Sequence, residues 1–171
     1  MTNYRWHIAL LTTGGTIEKT YDEGDGSLSN RDSFVGQIIK EQLRLPDTKV
    51  DIIPLMNKDS LDMNDADRRV IVEAALQYQE MSPVVILHGT DTMAVTGQVL
   101  AKTIPNPKNP IILTGAMRPL GIFGSDGTQN LTEALLHAKF HNPGCFISFH
   151  GQLFDSDKAK KNIQLRSFSS K

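Results

Sequence analysis

Five short runs rich in Ile, Val and Leu recur along the chain: "RWHIALLTT", "KVDIIPL", "PVVILHG", "NPIILTG" and "GCFISFHG". Each gap between them is long enough for one helix. Continuous apolar runs of this length predict strands buried on both faces. The gaps supply the cover. "RDSFVGQIIKEQLRL" places Phe34, Val35, Ile38, Ile39 and Leu43 on one helical face, and "NDADRRVIVEAALQYQEM" opens on Asn64 and Asp65 as cap candidates. "DTMAVTGQVLAKTI" reads as a third helix and "DGTQNLTEALLHAKF" as a fourth, starting near Asp126. Strands alternating with helices specify an α/β fold, a three-layer parallel sheet with helices on both faces and right-handed crossovers. "PNPKNP" at 105–110 reads as a helix-to-strand turn that prolines terminate, not as a linker. Residues 1–171 are therefore expected to form a single domain, a length that can bury one sizeable core. The polar, basic tail "FDSDKAKKNIQLRSFSSK" reads as a short closing element or a stub.

Composition narrows the partners. With 18 basic against 19 acidic residues, no excess of charge marks the chain for nucleic acid or a lipid surface, and a small neutral or zwitterionic ligand fits better. The single cysteine, Cys145, cannot form an internal disulfide, which favours a reducing compartment. "MTNYRWHIALL" lacks a cationic region followed by a long apolar core, and no segment reaches the roughly 18 apolar residues of a membrane span. The expectation is a soluble, cytoplasmic protein.

In open sheets of this kind ligands bind at the carboxyl ends of the strands. The first strand ends on Thr13, Gly14, Gly15 and Thr16; the third on His88, Gly89, Thr90, Asp91 and Thr92; the fourth on Thr114, Gly115 and Ala116. The second is soon followed by "DSLDMND". Such a crevice is narrow and polar, and its glycines let backbone N–H groups approach a ligand closely. A phosphate cradle is not indicated. Neither G-x-G-x-x-G after the first strand nor G-x-x-x-x-G-K-[ST] is present, and Glu18, Asp22, Glu23 and Asp25 would repel a polyphosphate. Two readings of Thr16 stay open: a hydroxyl nucleophile, which needs a Lys, Tyr or His within hydrogen-bond reach, or a simple turn cap. Tyr21 follows it on the acidic loop "EKTYDEGDG", either as part of a lid over the pocket or as a surface aromatic.

Taken together these segments resemble the bacterial-type L-asparaginases, amidohydrolases that work through a threonine nucleophile. "TGGTI" at 13–17 and "HGTDTM" at 88–93 are similar to the family's two signatures; "SLDMND" at 60–65 and "GAMRP" followed by "SDGTQNL" are similar to its substrate-clamping segment and fourth-strand loop. The resemblance implies an asparaginase N-terminal-domain-like fold with the family's C-terminal domain absent. It implies hydrolysis of L-asparagine to L-aspartate and ammonia without a cofactor or metal. Thr16 would attack the amide and form an acyl-enzyme ester, with Tyr21 assisting. Thr90 would act from across the substrate, activated by a lysine and steered by Asp91, although family members are argued either way over which threonine attacks first.

The same resemblance implies that Asp91 holds the substrate ammonium and Ser60 its α-carboxylate. Gly15 and Thr90 would supply oxyanion N–H groups, and Ala116 a backbone contact to the amide. The lysine falls on Lys161, with Lys158 and Lys160 as alternatives. Leu61 stands where several relatives have glutamine. Loss of one hydrogen bond to a charged group, worth roughly 1.5–3 kcal/mol, implies weak affinity and low glutaminase activity. Relatives are about twice as long and close the site from a neighbouring subunit, so a homodimer or higher homo-oligomer is expected. The alternative is a catalytically silent module that binds asparagine or aspartate.

Five other residues carry alternative readings. His137 and His141 have a spacing that can hold a metal, but the chain lacks the accompanying glutamate motif, so surface histidines are the expectation. His88 is read as a hydrogen-bonded structural residue, Arg118 as holding its loop by pairing with Asp126, and Trp6 as core.

Overall fold

The computed structural model describes residues 3–31 and 33–170; Asp32, within the first expected helical segment, lies outside them. In chain order the strands are β1 (Trp6–Gly14), β2 (Lys19–Tyr21), β3 (Leu28–Asn30), β4 (Thr48–Lys58), β5 (Val84–Leu87), β6 (Ile111–Thr114), β7 (Cys145–Phe149), β8 (Gln152–Asp155), β9 (Ala159–Asn162) and β10 (Ser167–Ser170). The helices are α1 (Val35–Glu41), α2 (Asp65–Tyr78), α3 (Met93–Thr103) and α4 (Gly127–Phe140). Six strands form one sheet in the order β4-β1-β5-β6-β7-β8, while β2 pairs with β3 and β9 with β10 in two small antiparallel sheets.

The five apolar runs are the five parallel strands of the main sheet. Alternate residues of β5 feed opposite cores: Val84 and Ile86 pack with α2 and α3, whereas Val85 and Leu87 pack with α1 and α4. That is the three-layer arrangement the sequence predicts. The sheet is mixed, however, because β8 returns antiparallel to β7. The two-residue link between β7 and β8 has no room for a crossover helix, so antiparallel pairing is the geometry open to it. The tail is thus an edge strand followed by a hairpin, and its Ala159 and Phe168 extend the core over α3. Among the described residues no helix is long and apolar enough to cross a membrane.

Helix starts follow local chemistry. Asn64 caps α2 in a reciprocal box, its side chain accepting from the Ala66 and Asp67 N–H groups while Asp67 accepts from the Asn64 N–H. Asp126 precedes α4, but its side chain does not cap the backbone of the helix it begins. Trp6 is only half-buried. It meets Phe140 edge to face at 5.6 Å, and Arg5 lies over its ring, at the rim of the sheet and not in the core.

The long edge strand β4 carries Pro54. Because the Trp6 N–H donates to the Asp47 carbonyl, the alternation of a parallel ladder turns the amide positions of odd-numbered β4 residues toward β1 and those of even-numbered residues outward. Pro54 falls in the outward set, where its missing N–H costs the sheet no bond. At the centre of the sheet, Ile86 is fully buried on β5. Ile86→Ala should destabilise the protein by about 2–5 kcal/mol, read as a lower urea midpoint with an unchanged slope.

Candidate active site

The main strands end together, and threonine hydroxyls extend their ladder. Thr13 Oγ1 donates to the Leu87 carbonyl at 2.8 Å, the His88 N–H to the Thr114 carbonyl at 2.9 Å, and Thr114 Oγ1 to the Ser148 carbonyl at 2.8 Å. Beyond this row the chain leaves the sheet in loops. Gly14 and Gly15 hold φ of 94° and 78°, the left-handed region that an L side chain resists. A Cβ at Gly15 would lie 2.4 Å from Gly89 Cα and N, so the β1 and β5 loops touch backbone to backbone. Thr16 and Thr90 each follow one member of that contact.

Thr16 opens a single 3-10 turn, Thr16–Glu18. The turn is fixed from below by Glu18, whose buried carboxylate accepts the Gly14 N–H at 2.8 Å. Burial pushes the Glu18 pKa up, against hydrogen bonds from Ser33, Gly14 and Thr12 that favour the charged form. Its neighbour Lys19 pairs with Asp59 at 2.8 Å, tying this loop to the segment after β4.

The Gly15 N–H corrects one expectation. It donates to the Lys58 carbonyl at 2.9 Å and is not offered to a developing oxyanion. The reason is local: β1 and β4 shift register between Thr12 and Gly14, and the Gly15 amide closes that irregularity. Ser60, the residue expected to meet the substrate α-carboxylate, has no exposed surface. Its carbonyl accepts from Thr92 Oγ1 at 2.9 Å, its Oγ from the Thr92 N–H at 3.4 Å, and a Cβ on Gly89 would strike it at 2.6 Å. Ser60 braces the Thr90 loop. Leu61 beside it is 71% exposed and turns away from that contact.

Thr90 is buried, and its Oγ1 receives a hydrogen bond from Lys161 Nζ at 2.8 Å; the same ammonium reaches Asp91 Oδ1 at 2.7 Å. The Thr90 hydroxyl also lies 3.9 Å from Met117 Sδ. Of the three candidate lysines only Lys161 is so placed. Lys158 pairs with Asp155 at 3.0 Å, and Lys160, next to Lys161 on β9, faces the other side of the hairpin. Ala116 follows β6 and is buried in the core that α1 and α4 cover. Tyr21 stands apart at 63% exposed on the β2–β3 hairpin, whose acidic turn is gathered by Arg31 through Asp22 and Asp25. The hydrogen bonds among the described residues do not join Tyr21 to Thr16.

Other nucleophiles and ligands fit less well. His88 is sealed in the sheet, with Nδ1 2.8 Å from the Gly89 carbonyl and Nε2 2.9 Å from Thr96 Oγ1. Burial, opposed by the Gly89 bond and aided by Arg68, lowers its pKa to about 4, so it stays neutral and structural. Burial pushes the Cys145 thiol up to about 11. It lines a cavity of about 440 Å³ with Ile104, Gly144 and Asp155, at the opposite end of the sheet. His137 bonds Ser148 Oγ at 3.0 Å, His141 the Asn142 carbonyl at 3.1 Å, and no cluster of three metal-ligating side chains occurs among the described residues. Arg118 holds its loop differently from the expectation: its backbone N–H, not its guanidinium, meets Asp126, at 2.9 Å.

The family model described as Asparaginase, N-terminal, matches residues 7–170. The chain belongs to the asparaginase family. It is 32% identical over 168 residues to the L-asparaginase of Thermococcus kodakarensis, covering 95% of this chain and 50% of that protein. It is 33% identical over 162 residues to L-asparaginase 1 of Escherichia coli K12, covering 90% and 47%. The solved structure of the thermostable L-asparaginase from Thermococcus kodakarensis superposes with a TM-score of 0.86 at 30% identity, over 96% of this chain and 51% of that one. The chain spans about half the length of these asparaginase relatives.

Two outcomes test the site's construction. Gly15→Ala places a Cβ against Gly89 in a glycine-only conformation, and should destabilise the fold by about 3 kcal/mol or more in urea titration. His88 makes stability pH-dependent. Its unfolded pKa of 6.5 exceeds its folded value of about 4, so the unfolded chain binds the extra proton between them. Stability attributable to His88 is full above pH 6.5 and falls by about 3 kcal/mol as pH drops toward 4. The difference between wild type and His88→Gln across that range isolates it from Glu18, whose raised pKa acts in the opposite sense.

Proposed function

We propose that the chain is an L-asparaginase, one asparaginase-like domain that hydrolyses L-asparagine to L-aspartate and ammonia through a threonine nucleophile. The observation that carries this reading is the convergence of Lys161 on Thr90 and Asp91 from 71 and 70 residues away, at the strand ends where the glycine contact also brings the Thr16 loop. A buried hydroxyl that accepts from an amine, itself paired to a carboxylate, has the parts for proton transfer.

In the proposed sequence Thr16 Oγ attacks the carboxamide carbon and its proton passes to the leaving nitrogen, releasing ammonia. Water then attacks the Thr16 ester, its proton passing by way of Thr90 and Lys161 to the departing Thr16 Oγ as the ester bond breaks, and aspartate leaves. The half-exposed Asp91 carboxylate receives the substrate ammonium, and Ala116 contributes a backbone contact. Contact between Ser60 and the α-carboxylate requires the 60–62 turn to open, and Tyr21 assists Thr16 only when the β2–β3 hairpin closes. Leu61 offers no hydrogen bond, which supports low glutaminase activity. The lone, half-buried thiol of Cys145 supports a reducing, cytoplasmic setting, and the exposed apolar side chains of Phe34, Ile122 and Phe123 support a homo-oligomer.

One observation favours a second reading, a module that binds asparagine or aspartate without turnover: the Gly15 N–H is engaged by Lys58. Ammonia release on addition of L-asparagine separates the two. Thr16→Ala and Lys161→Met should each lower turnover by on the order of 10²-fold or more, while Lys160→Met stays within about threefold of wild type. Aspartate binding with no ammonia release supports the binding module.

A further inference from the structure

The loop after β6 has no strand to pair with, yet it is held by one carboxylate. Asp126 accepts the Met117 N–H at 2.9 and 3.0 Å, the Arg118 N–H at 2.9 Å and Asn130 Nδ2 at 3.1 Å; His150 Nε2 lies 2.8 Å from its Oδ2. Asn130 extends the network, donating to the Gly115 carbonyl at 2.9 Å and accepting from the His150 N–H at 3.0 Å. The end of β6, the start of α4 and the end of β7 are thereby joined. A residue opening a helix ordinarily caps it; Asp126 reaches backward across the crevice rim. Burial opposes ionisation of Asp126, but the Met117 amide, His150 and the Arg118 amide outweigh it and hold its carboxyl below the usual range.

His150 and Gly151 form the two-residue β7–β8 turn, both at positive φ (49° and 76°), and from that turn the His150 ring reaches this carboxylate. For a residue with a Cβ that conformation costs roughly 1–2 kcal/mol. The bonds from its ring and its N–H both terminate in the same network. On the far side of the loop, Met117 Sδ meets Thr90 Oγ1 at 3.9 Å.

We propose that Asp126 and His150 are positioning residues that fix the Ala116–Arg118 backbone against Thr90, so that the loop meets the scissile amide in register. The inference rests on the hydrolase reading above. Neither residue needs to touch substrate; they act through the loop's amides. L-Aspartate lacks the amide nitrogen that the loop would hold, so a positioning defect is felt in turnover and not in product binding. A defect in the fold lowers both.

The test measures kcat, KM for L-asparagine and Kd for L-aspartate in wild type, Asp126→Asn, His150→Gly and His150→Asn. Asp126→Asn turns an amide N–H₂ toward donors and should lower kcat by about 10²-fold, with Kd for aspartate within about threefold. His150→Gly keeps the backbone conformation without the ring and should lower kcat about tenfold. His150→Asn tolerates positive φ and can donate to Asp126, and should recover kcat to within about threefold of wild type. If Asp126→Asn does not fold, the two His150 variants decide. Unchanged kcat in His150→Gly, or kcat and aspartate affinity falling together, overturns the inference while leaving the hydrolase reading intact. A wild-type chain that releases no ammonia fails the hydrolase reading first and removes the inference with it.

Discussion

The candidate site depends on two backbones in direct contact. Where Gly15 meets Gly89 there is no space for a side chain on the first, and behind the second lies Ser60, itself without exposed surface. Three loops from β1, β4 and β5 are stacked through this point. The Gly15 amide ties the stack to Lys58, the Lys19–Asp59 pair ties it again, and Glu18 holds the turn from beneath. A hydroxyl carried one residue beyond such a contact has little freedom to wander. Close-packed interiors transmit displacements of this kind, so the positions of Thr16 and Thr90 are set by sterics before any polar interaction acts.

Around that point the fold supplies directionality. Parallel strands bring all their carboxyl ends to one rim, and register aligns Thr12, Leu87 and Thr114 in a row from which the loops depart. The antiparallel β7–β8 turn and the β9–β10 hairpin then bring the chain back, so that Lys161 can reach a threonine on a loop 71 residues earlier. Phe168, paired with Lys161 across the hairpin, packs on Phe149 at 5.1 Å and anchors that return in the core. The lysine's placement is thus a consequence of apolar packing.

Much of this is legible in the sequence. Five Ile/Val/Leu runs and four amphipathic stretches give the layers because burial on both faces leaves a periodicity that local propensity does not blur. Asn64 is readable as a cap for the same local reason. The antiparallel β8 is not, since "QLFD" is too short for a pattern and its direction is fixed by the turn before it. Lys161 cannot be separated from Lys158 and Lys160 by composition; the period of a strand does that once β9 exists. The engagement of the Gly15 amide by Lys58 follows from a register shift, which is long-range and leaves no mark in "TGGTI". Glu18 and His150 were hidden differently. A buried acid in an acidic loop looks like its solvated neighbours, and the only hint of His150 is that "HG" recurs at 88–89 and 150–151, at two strand ends.

The main sheet has two outer strands, and neither offers a good template. β4 is long, but Pro54 leaves a gap among its outward amides, and Lys49, Asp51 and Lys58 put charge along it. β8 is only four residues long. A second copy therefore gains little by hydrogen-bonding alongside either strand, and open-ended polymerisation through the sheet is discouraged. Self-association, where it occurs, is left to loops and helix faces, where an isologous contact closes into a finite assembly.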